Sequence, residues 1–370
     1  MPSNLDIETS KDLNGTMAAY SEQIIISTGQ ADWKSRIEDE RDTAPWGNVV
    51  SEIKTMLGPG GRCHDVGRTL NFKMYSGALA NKRQQPYRSV VVSTSSFEAP
   101  SGSSGGLPQA LFFPSFSVVD DIGLSQSSIA HLLETFVASK SGSIPSGGGQ
   151  KESEETRPDK EKSLRQSGTI RPISAPTILI CSHNSRDSRC GILGPLLHAE
   201  FVHYINKRHT LRNRVMSELV VPGDEDNQGT KSFASHPTYR PEAVDPAHSN
   251  QQPINVGMIS HIGGHKWAGN VIVYIPPDYQ INSLERSQGG TVPKDKRTES
   301  FTEPVVHKDE RLLAQEILQS LSPLAGKGIW YGRVQPKHVE GIVEQTIGHG
   351  QIIRELFRGG VHRNGNQIRL

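Results

Sequence analysis

A long polar stretch near the middle of the chain constrains its fold more than any other feature. Between Ser139 and Ser174 almost no large apolar side chains occur, so burial there cannot offset the entropy of ordering the backbone. We predict a disordered linker over residues 139–174, an N-terminal domain over 1–138 and a C-terminal domain over 175–370. Two domains also suit a chain of 370 residues, because one domain commonly contains about 100–200 residues.

The two predicted domains show the same order of elements: strand, helix, strand, strand and helix. In the first, EQIIISTGQ predicts the opening strand, and Val50, Ile53 and Leu57 lie at helical spacing in the segment that follows. In the second, APTILICSH predicts the opening strand and GPLLHAEFVHYINKR a helix with Pro195 in its first turn. Further helices are predicted at DERLLAQEILQSL and PKHVEGIVEQTI. Both domains are therefore expected to be α/β units with helices packed on small mixed sheets.

Charge and composition argue against several kinds of partner. Lys and Arg total 40 and Asp and Glu total 39, so the chain has no overall positive field that would hold nucleic acid. No run approaches the roughly 18 uncharged apolar residues that a membrane span needs, so we expect no membrane insertion. Three cysteines are too few for a disulfide framework in a chain of this size, which favours a reducing compartment.

Four side chains of types that bind metals follow predicted strands of the C-terminal domain. They are arranged as Cys181-x8-Cys190 and His261-x3-His265, and we place all four at strand ends or in the adjoining loops. A loop position leaves a thiol or an imidazole free to point at a common ion. The two glycines between the histidines disfavour a helix there and permit close approach of the backbone to a bulky group.

The residue types leave the identity of the metal open. Two thiolates and two imidazoles suit a tetrahedral zinc ion, which would make the chain a metal-stabilised binding module. They also suit a 2Fe-2S cluster with the cysteines on one iron and the histidines on the other. A third reading needs no metal and makes Cys181 and Cys190 a thiol-disulfide oxidoreductase pair, although they lack the Cys-x-x-Cys spacing of that class.

Three segments of the C-terminal half resemble the fungal sucrase/ferredoxin-like family, namely CSHNSRDSRCGILGPLL, SHIGGHKWAGNVIVY and IWYGRVQPKHVEGIVEQTI. This resemblance implies an α/β fold of two thioredoxin-like domains, the C-terminal one a thioredoxin-like ferredoxin. It also implies a 2Fe-2S cluster with Cys181 and Cys190 on one iron and His261 and His265 on the other. Cys63 has no second cysteine in its domain, so the N-terminal domain would be a degenerate copy without a cluster.

The function that the resemblance implies is electron transfer or redox sensing, with an electron carrier favoured over an enzyme. Imidazoles in place of thiolates raise the potential of a 2Fe-2S cluster, and they can bind a proton on reduction, so we expect proton-coupled redox chemistry. The partner would be another redox protein. The resemblance implies a mitochondrial location, and the cytoplasm is the alternative because the acidic N-terminus shows no presequence. His183 and His338, which also lie in the segments that resemble this family, are predicted to be structural, with hydrogen bonding near the site as the alternative.

Overall fold

A computed structural model describes residues 5–61, 63, 89–99, 106–138, 169–207, 215–216, 253–281 and 321–370. Within these residues a mixed sheet of twelve strands forms the framework, and helices pack against it. The chain is thus a mixed α/β protein, as predicted. Residues 139–168 of the predicted linker and nearly all of the predicted helix DERLLAQEILQSL lie outside the described residues.

The N-terminal half begins with a fully buried strand and a helix that covers it. The helix starts at Pro45, where the missing proline N–H costs no hydrogen bond, and it buries Val49, Val50 and Ile53 against the sheet. The elements of this half are β1 (Glu22–Ser27), α1 (Pro45–Leu57), β2 (Val90–Ser95), β3 (Ala110–Phe113), β4 (Ser117–Asp120), α2 (Gln126–Leu133) and β5 (Thr169–Pro172).

The C-terminal half repeats this beginning, again with a strand whose residues are all buried. Its long helix runs about two turns further toward the N-terminus than predicted, because it begins at Ser188 and accommodates Pro195 in its interior. The elements of this half are β6 (Thr177–Cys181), α3 (Ser188–Lys207), β7 (Val215–Met216), β8 (Ile254–Ile259), β9 (Val271–Ile275), β10 (Lys327–Tyr331), α4 (Val339–Gly341), β11 (Phe357–His362) and β12 (Gln367–Ile368).

The strand pairing is the same in both halves. In the N-terminal half β1 pairs in parallel with β2 and antiparallel with β3, and β3 pairs antiparallel with β4. In the C-terminal half β6 pairs in parallel with β8 and antiparallel with β9, and β9 pairs antiparallel with β10. A helix connects the two parallel strands each time, so each half contains one β-α-β unit followed by an antiparallel meander.

The halves join where β2 meets β8, through the single antiparallel pair Ser95 and Ile259. The hydroxyl of Ser96 accepts the Met258 N–H at 2.9 Å, and the hydroxyl of Ser260 accepts the Thr94 N–H at 2.9 Å. Each serine follows the last residue of its strand. Each strand end therefore provides a hydrogen-bond acceptor for a backbone N–H of the other, in a nearly symmetric arrangement.

Alternate residues of the N-terminal strands face two different cores, as the period of a strand requires. Ile24, Ile26 and Phe112 face the core formed with α1 and α2. Ile25 and Phe113 face a second core, which also contains the strands and helices of the C-terminal half. There Phe113 stacks on Tyr274 with the ring centroids 4.0 Å apart. One sheet and one core thus run through both predicted domains.

The last residues of the predicted linker are ordered in the structure. Thr169–Pro172 form β5, which pairs antiparallel with β4. An ion pair between Arg171 and Asp120, with Nε and Oδ2 2.7 Å apart, fixes the strand at the edge of the sheet. The polar composition of this segment therefore did not reveal a strand whose stability comes from its neighbour.

Candidate metal centre

The two cysteines lie where β6 ends and α3 begins. Cys181 is the last residue of β6, as predicted, but Cys190 lies in the first turn of α3 rather than in a loop. The helix starts early because the Asp187 carboxylate accepts the Arg189 N–H at 3.0 Å and so caps the N-terminus. Gly194 lets this helix approach the strand, since a Cβ there would lie 2.5 Å from the Cα of Ser182.

Both thiols are buried, with 1 % of Cys181 and none of Cys190 exposed. All three cysteines of the chain are free. A hydrogen bond from Cys190 lowers the pKa of the Cys181 thiol, helped by His261 and the Ile262 N–H, although burial acts in the opposite direction. The same hydrogen bond, together with burial, raises the pKa of Cys190. Cys181 therefore loses its proton more readily than Cys190, and a bound metal ion would favour the deprotonated form of both.

His261 approaches the thiols from the loop that follows β8. One of its ring nitrogens and the two sulfur atoms all lie within 4.8 Å of one another. The loop turns at Gly263 and Gly264, whose φ angles of 87° and 80° are rarely adopted by other residues. The sequence therefore correctly placed this histidine next to a glycine turn.

His265 lies beside His261 but outside this group of three. The two imidazole centroids are 5.3 Å apart, at an interplanar angle of 34°. The side chain of His265 is 47 % exposed, and its Nδ1 lies 4.0 Å from Oδ2 of Asp187. Thus the structure brings three of the four predicted ligands together and leaves His265 at the solvent-facing edge.

The donors fit a metal in one further respect. Among the described residues, Nδ1 of His261 is buried with no hydrogen-bond partner. A buried polar atom without a partner costs about 1–3 kcal/mol, and coordination of a cation by one ring nitrogen would fix the tautomer and orientation of this ring. With two buried thiols alongside, the group suits a soft or borderline metal.

His183 hydrogen-bonds within the site, as the alternative to a purely structural role predicted. Its Nδ1 accepts the backbone N–H of His261 at 3.0 Å. Its Nε2 must then carry the proton, and it lies 3.0 Å from the carbonyl oxygens of Trp33 and Lys34 in the N-terminal half. The predicted structural role is therefore more specific: this ring links the ligand loop to the loop that precedes α1. In the sequence, this link is indicated only by the position of His183 two residues after Cys181.

Charged side chains surround the site without contacting the sulfur atoms. The Arg189 guanidinium donates to both carboxylate oxygens of Asp187 at 2.9 Å, and this lowers the pKa of Asp187 to about 2. Arg358, which the sequence did not single out, is 1 % exposed and donates at 3.2 Å to the carbonyl of Gly263 in the histidine loop. Cys63, in contrast, lies in the N-terminal core.

The fold and the site together define a mixed α/β protein with a buried Cys/His group suited to a metal cofactor. The chain belongs to the sucrase/ferredoxin-like family, which it matches over residues 13–359. None of the helices that the structure describes is long and apolar enough to span a bilayer.

Similar proteins include three named altered inheritance of mitochondria protein 32. They come from Meyerozyma guilliermondii, Clavispora lusitaniae and Debaryomyces hansenii, and they are 27 %, 29 % and 28 % identical to this chain over 190, 188 and 189 residues. Each alignment covers 51 % of this chain but only 36 %, 36 % and 37 % of the relative. The chain therefore aligns with little more than a third of these proteins. No solved structure matches it.

Proposed function

We propose that the protein holds a 2Fe-2S cluster through Cys181, Cys190, His261 and His265 and serves in electron transfer or redox sensing. The observation that carries this proposal is the group of two buried thiols and one half-buried imidazole, whose ligand atoms all lie within 4.8 Å of one another. His265, next to His261 on the exposed side, would complete a set of two sulfur and two nitrogen ligands. A ferredoxin-like family agrees with such a cofactor.

The proposed ligands support different roles for the buried side and the exposed side of the site. The cysteines lie inside the protein, where water is excluded, whereas His265 reaches solvent. When bound, the cluster would supply one-electron chemistry, with a potential raised by the two neutral imidazoles. The exposed imidazole of His265 would be the group that exchanges protons with water, which supports proton-coupled redox chemistry.

The repeated strand order supports the finer fold proposal of two thioredoxin-like halves. In each half the parallel β-α-β unit places the opening strand between its parallel partner and the antiparallel meander. A helical segment follows the meander in both halves, α2 in the first and Pro336–Gly348 around α4 in the second. We infer that the C-terminal half is the ferredoxin-like copy, because the four proposed ligands belong to it.

The test is a spectrum of anaerobically purified protein. We expect visible absorption and, after reduction with dithionite, an electron paramagnetic resonance signal of the Rieske type, because histidine ligation produces that class of centre. His261→Cys and His265→Cys should each shift the signal by replacing a neutral ligand with a thiolate. A colourless protein with stoichiometric zinc would instead establish a metal-stabilised binding module.

A thiol-disulfide function is the second candidate, favoured by the hydrogen bond between Cys181 and Cys190 and by the lowered pKa of the Cys181 thiol. Burial of both sulfur atoms weakens it, because an attacking thiolate must reach its substrate. Metal-free protein that reduces a substrate disulfide to two thiols while its own Cys181 and Cys190 become a disulfide would support it. Protein that keeps both thiols bound to iron would contradict it.

For location we propose the mitochondrion, on the names of the relatives, which refer to mitochondrial inheritance. The partner would be another redox protein that approaches the edge where His265 is exposed. Imaging of the tagged protein in a fungal cell would test the location, and cytosolic signal would support the alternative.

A further inference from the structure

Arg358 is a large, fully buried side chain with a positive charge, and it lies near the proposed ligands. It lies in β11 with 1 % of its surface exposed. Its guanidinium donates to the hydroxyl and the carbonyl of Thr16, at 3.1 and 2.9 Å, to the carbonyl of Gly263 at 3.2 Å and to Oδ1 of Asn270 at 2.7 Å. All of these acceptors are neutral. Within the described chain, no carboxylate forms an ion pair with it.

Such a position is unfavourable unless a negative charge is close. Burial lowers the pKa of Arg358 to about 10, and the two thiols act against this shift, so the side chain remains charged at neutral pH. Moving an unpaired charge out of water is strongly unfavourable. The guanidinium stays beside Trp267 and Trp330, with Cζ 5.1 and 5.8 Å from the ring centroids. These rings offer only part of the compensation.

The arrangement also ties this charge to both pairs of ligands. Gly263 lies between the two histidines. The side-chain amide of Asn270 donates to the carbonyl of Gly264 at 3.0 Å. The backbone carbonyl of Asn270 accepts the Cys181 N–H, also at 3.0 Å. Glycine suits position 264, because its φ of 80° disfavours other residues and a Cβ would lie 2.4 Å from Nη2 of Arg358. The loop is therefore shaped around the guanidinium.

We propose that Arg358 is the counter-charge for the electron that the proposed cluster takes up, and that it raises the midpoint potential. This inference rests on the proposed function. Two ferric ions, two sulfides, two thiolates and two neutral imidazoles together carry no net charge, and one electron from an external reductant leaves one ferrous ion and a net charge of minus one. A fixed positive charge stabilises that reduced state more than the oxidised one. A neutral zinc site with the same ligands undergoes no such change.

The test is a redox titration with dithionite on the cluster-loaded wild type and four variants. Arg358→Gln removes the charge but keeps hydrogen-bonding capacity. We expect electron uptake to become about tenfold weaker, which is a midpoint about 59 mV lower for one electron. Arg358→Lys keeps a charge and should restore more than half of this loss, although lysine cannot reproduce every hydrogen bond. The signal shape should stay that of the wild type in both.

Arg333→Gln is the matched control for loosening of the N-terminal segment. Arg333 donates to the carbonyls of Glu8 and Lys11 in the same segment that contains Thr16, so its loss should leave the midpoint unchanged. Asn270→Asp keeps the guanidinium but pairs it with a carboxylate, and it should lower the midpoint as well. If Arg358→Gln does not retain its cluster, this variant decides the question.

The outcomes separate the two proposals. A wild-type protein without a reducible cluster would overturn both. A wild-type cluster whose midpoint is the same in Arg358→Gln and Asn270→Asp would overturn the role of Arg358 alone. An equal fall in the Arg333→Gln control would do the same, because the effect would then come from the segment and not from the charge.

Discussion

The two halves of the sheet end in the same geometry but carry different chemistry. By strand register, Ser27 at the end of β1 corresponds to Cys181 at the end of β6. Gly47 is the third residue of α1, as Cys190 is of α3. Phe97, two residues beyond β2, corresponds to His261 beyond β8. The positions of three proposed ligands in the C-terminal half thus hold a hydroxyl, a hydrogen and a phenyl ring in the N-terminal half.

This difference shows that the topology forms a similar position at the strand ends of each half, whereas the side chains determine the chemistry there. In the N-terminal half the place is a cavity of about 240 Å³, lined by residues that include Ser27, Trp46 and Glu98. Phe97 turns away from it and packs over Gly257, where a Cβ would lie 2.7 Å from the ring. The N-terminal copy therefore contributes to the junction between the halves instead of to a ligand set.

Among substitutions that test the difference between the two halves, replacement of a site cysteine should have the largest effect. Cys181→Ser removes one thiolate from the group of three, so we expect iron content and visible absorption to fall to background after anaerobic purification. Cys63→Ser is the matched control, because it changes a buried cysteine in the core of the other half. Full iron content in Cys181→Ser, or its loss in Cys63→Ser, would contradict the assignment of the site.

His183→Ala should have the next largest effect, because it leaves the His261 N–H without its acceptor. Loss of an outer partner of a metal ligand commonly lowers metal affinity about 10–100-fold, measurable as faster loss of iron to a chelator. His338→Ala is the control, since Nδ1 of His338 also accepts a backbone N–H, from Gln335, but within its own turn. Equal rates in the two variants would show that His183 only stabilises the fold.

Gly194→Ala tests whether close packing of α3 on β6 builds the cysteine pair. A Cβ would lie 2.5 Å from the Cα of Ser182, so the helix must move, and we expect a loss of about 1–3 kcal/mol of unfolding free energy. At Gly341 the corresponding Cβ makes an ordinary contact, 3.7 Å from Ile353. Gly341→Ala should therefore stabilise by up to about 1 kcal/mol through helix propensity. Urea denaturation of both variants measures the difference, and equal signs would contradict the packing argument.

We expect the smallest effect from the ion pair between Glu38, which precedes α1, and Lys54. The Nζ of Lys54 donates to Oε2 of Glu38 at 2.6 Å. Despite burial, which raises it, this and other hydrogen bonds lower the pKa of Glu38 to about 2. A lowered pKa contributes stability above the ordinary value of 4.5, and the contribution is lost as the pH falls toward about 2. Glu38→Gln should cost less than about 1 kcal/mol at pH 7. The cost should vanish near pH 2 in urea titrations, and a constant difference would refute the pairing.

The grouping of Cys181, Cys190 and His261 and the strand order were predictable because they depend on local patterns. Apolar runs predicted β1, β6 and β9, and the glycine turn between His261 and His265 predicted the loop between two strands. Cys190 was misplaced because Pro195 was read as the start of the helix, whereas Asp187 is the residue that caps it.

Arg358 and β5 could not be predicted for a different reason. FRGGVH and TIRP contain no apolar period of their own, and both are strands because a neighbouring strand supplies their hydrogen bonds. The role of Arg358 depends on Thr16, Gly263 and Asn270, which are far from it in the sequence. Contacts of that kind appear only when the whole chain is arranged in three dimensions.

The hydrogen bond between Arg358 and Thr16 joins residues that are 342 positions apart. Thr16 is synthesised 342 positions before Arg358, so the surroundings of the proposed ligands cannot close until the chain as far as Arg358 has left the ribosome. Contacts of such long sequence separation form late and slowly. Loading of the proposed cofactor into its finished surroundings would therefore wait for β11, and until then the four proposed ligands would be accessible to competing metal ions.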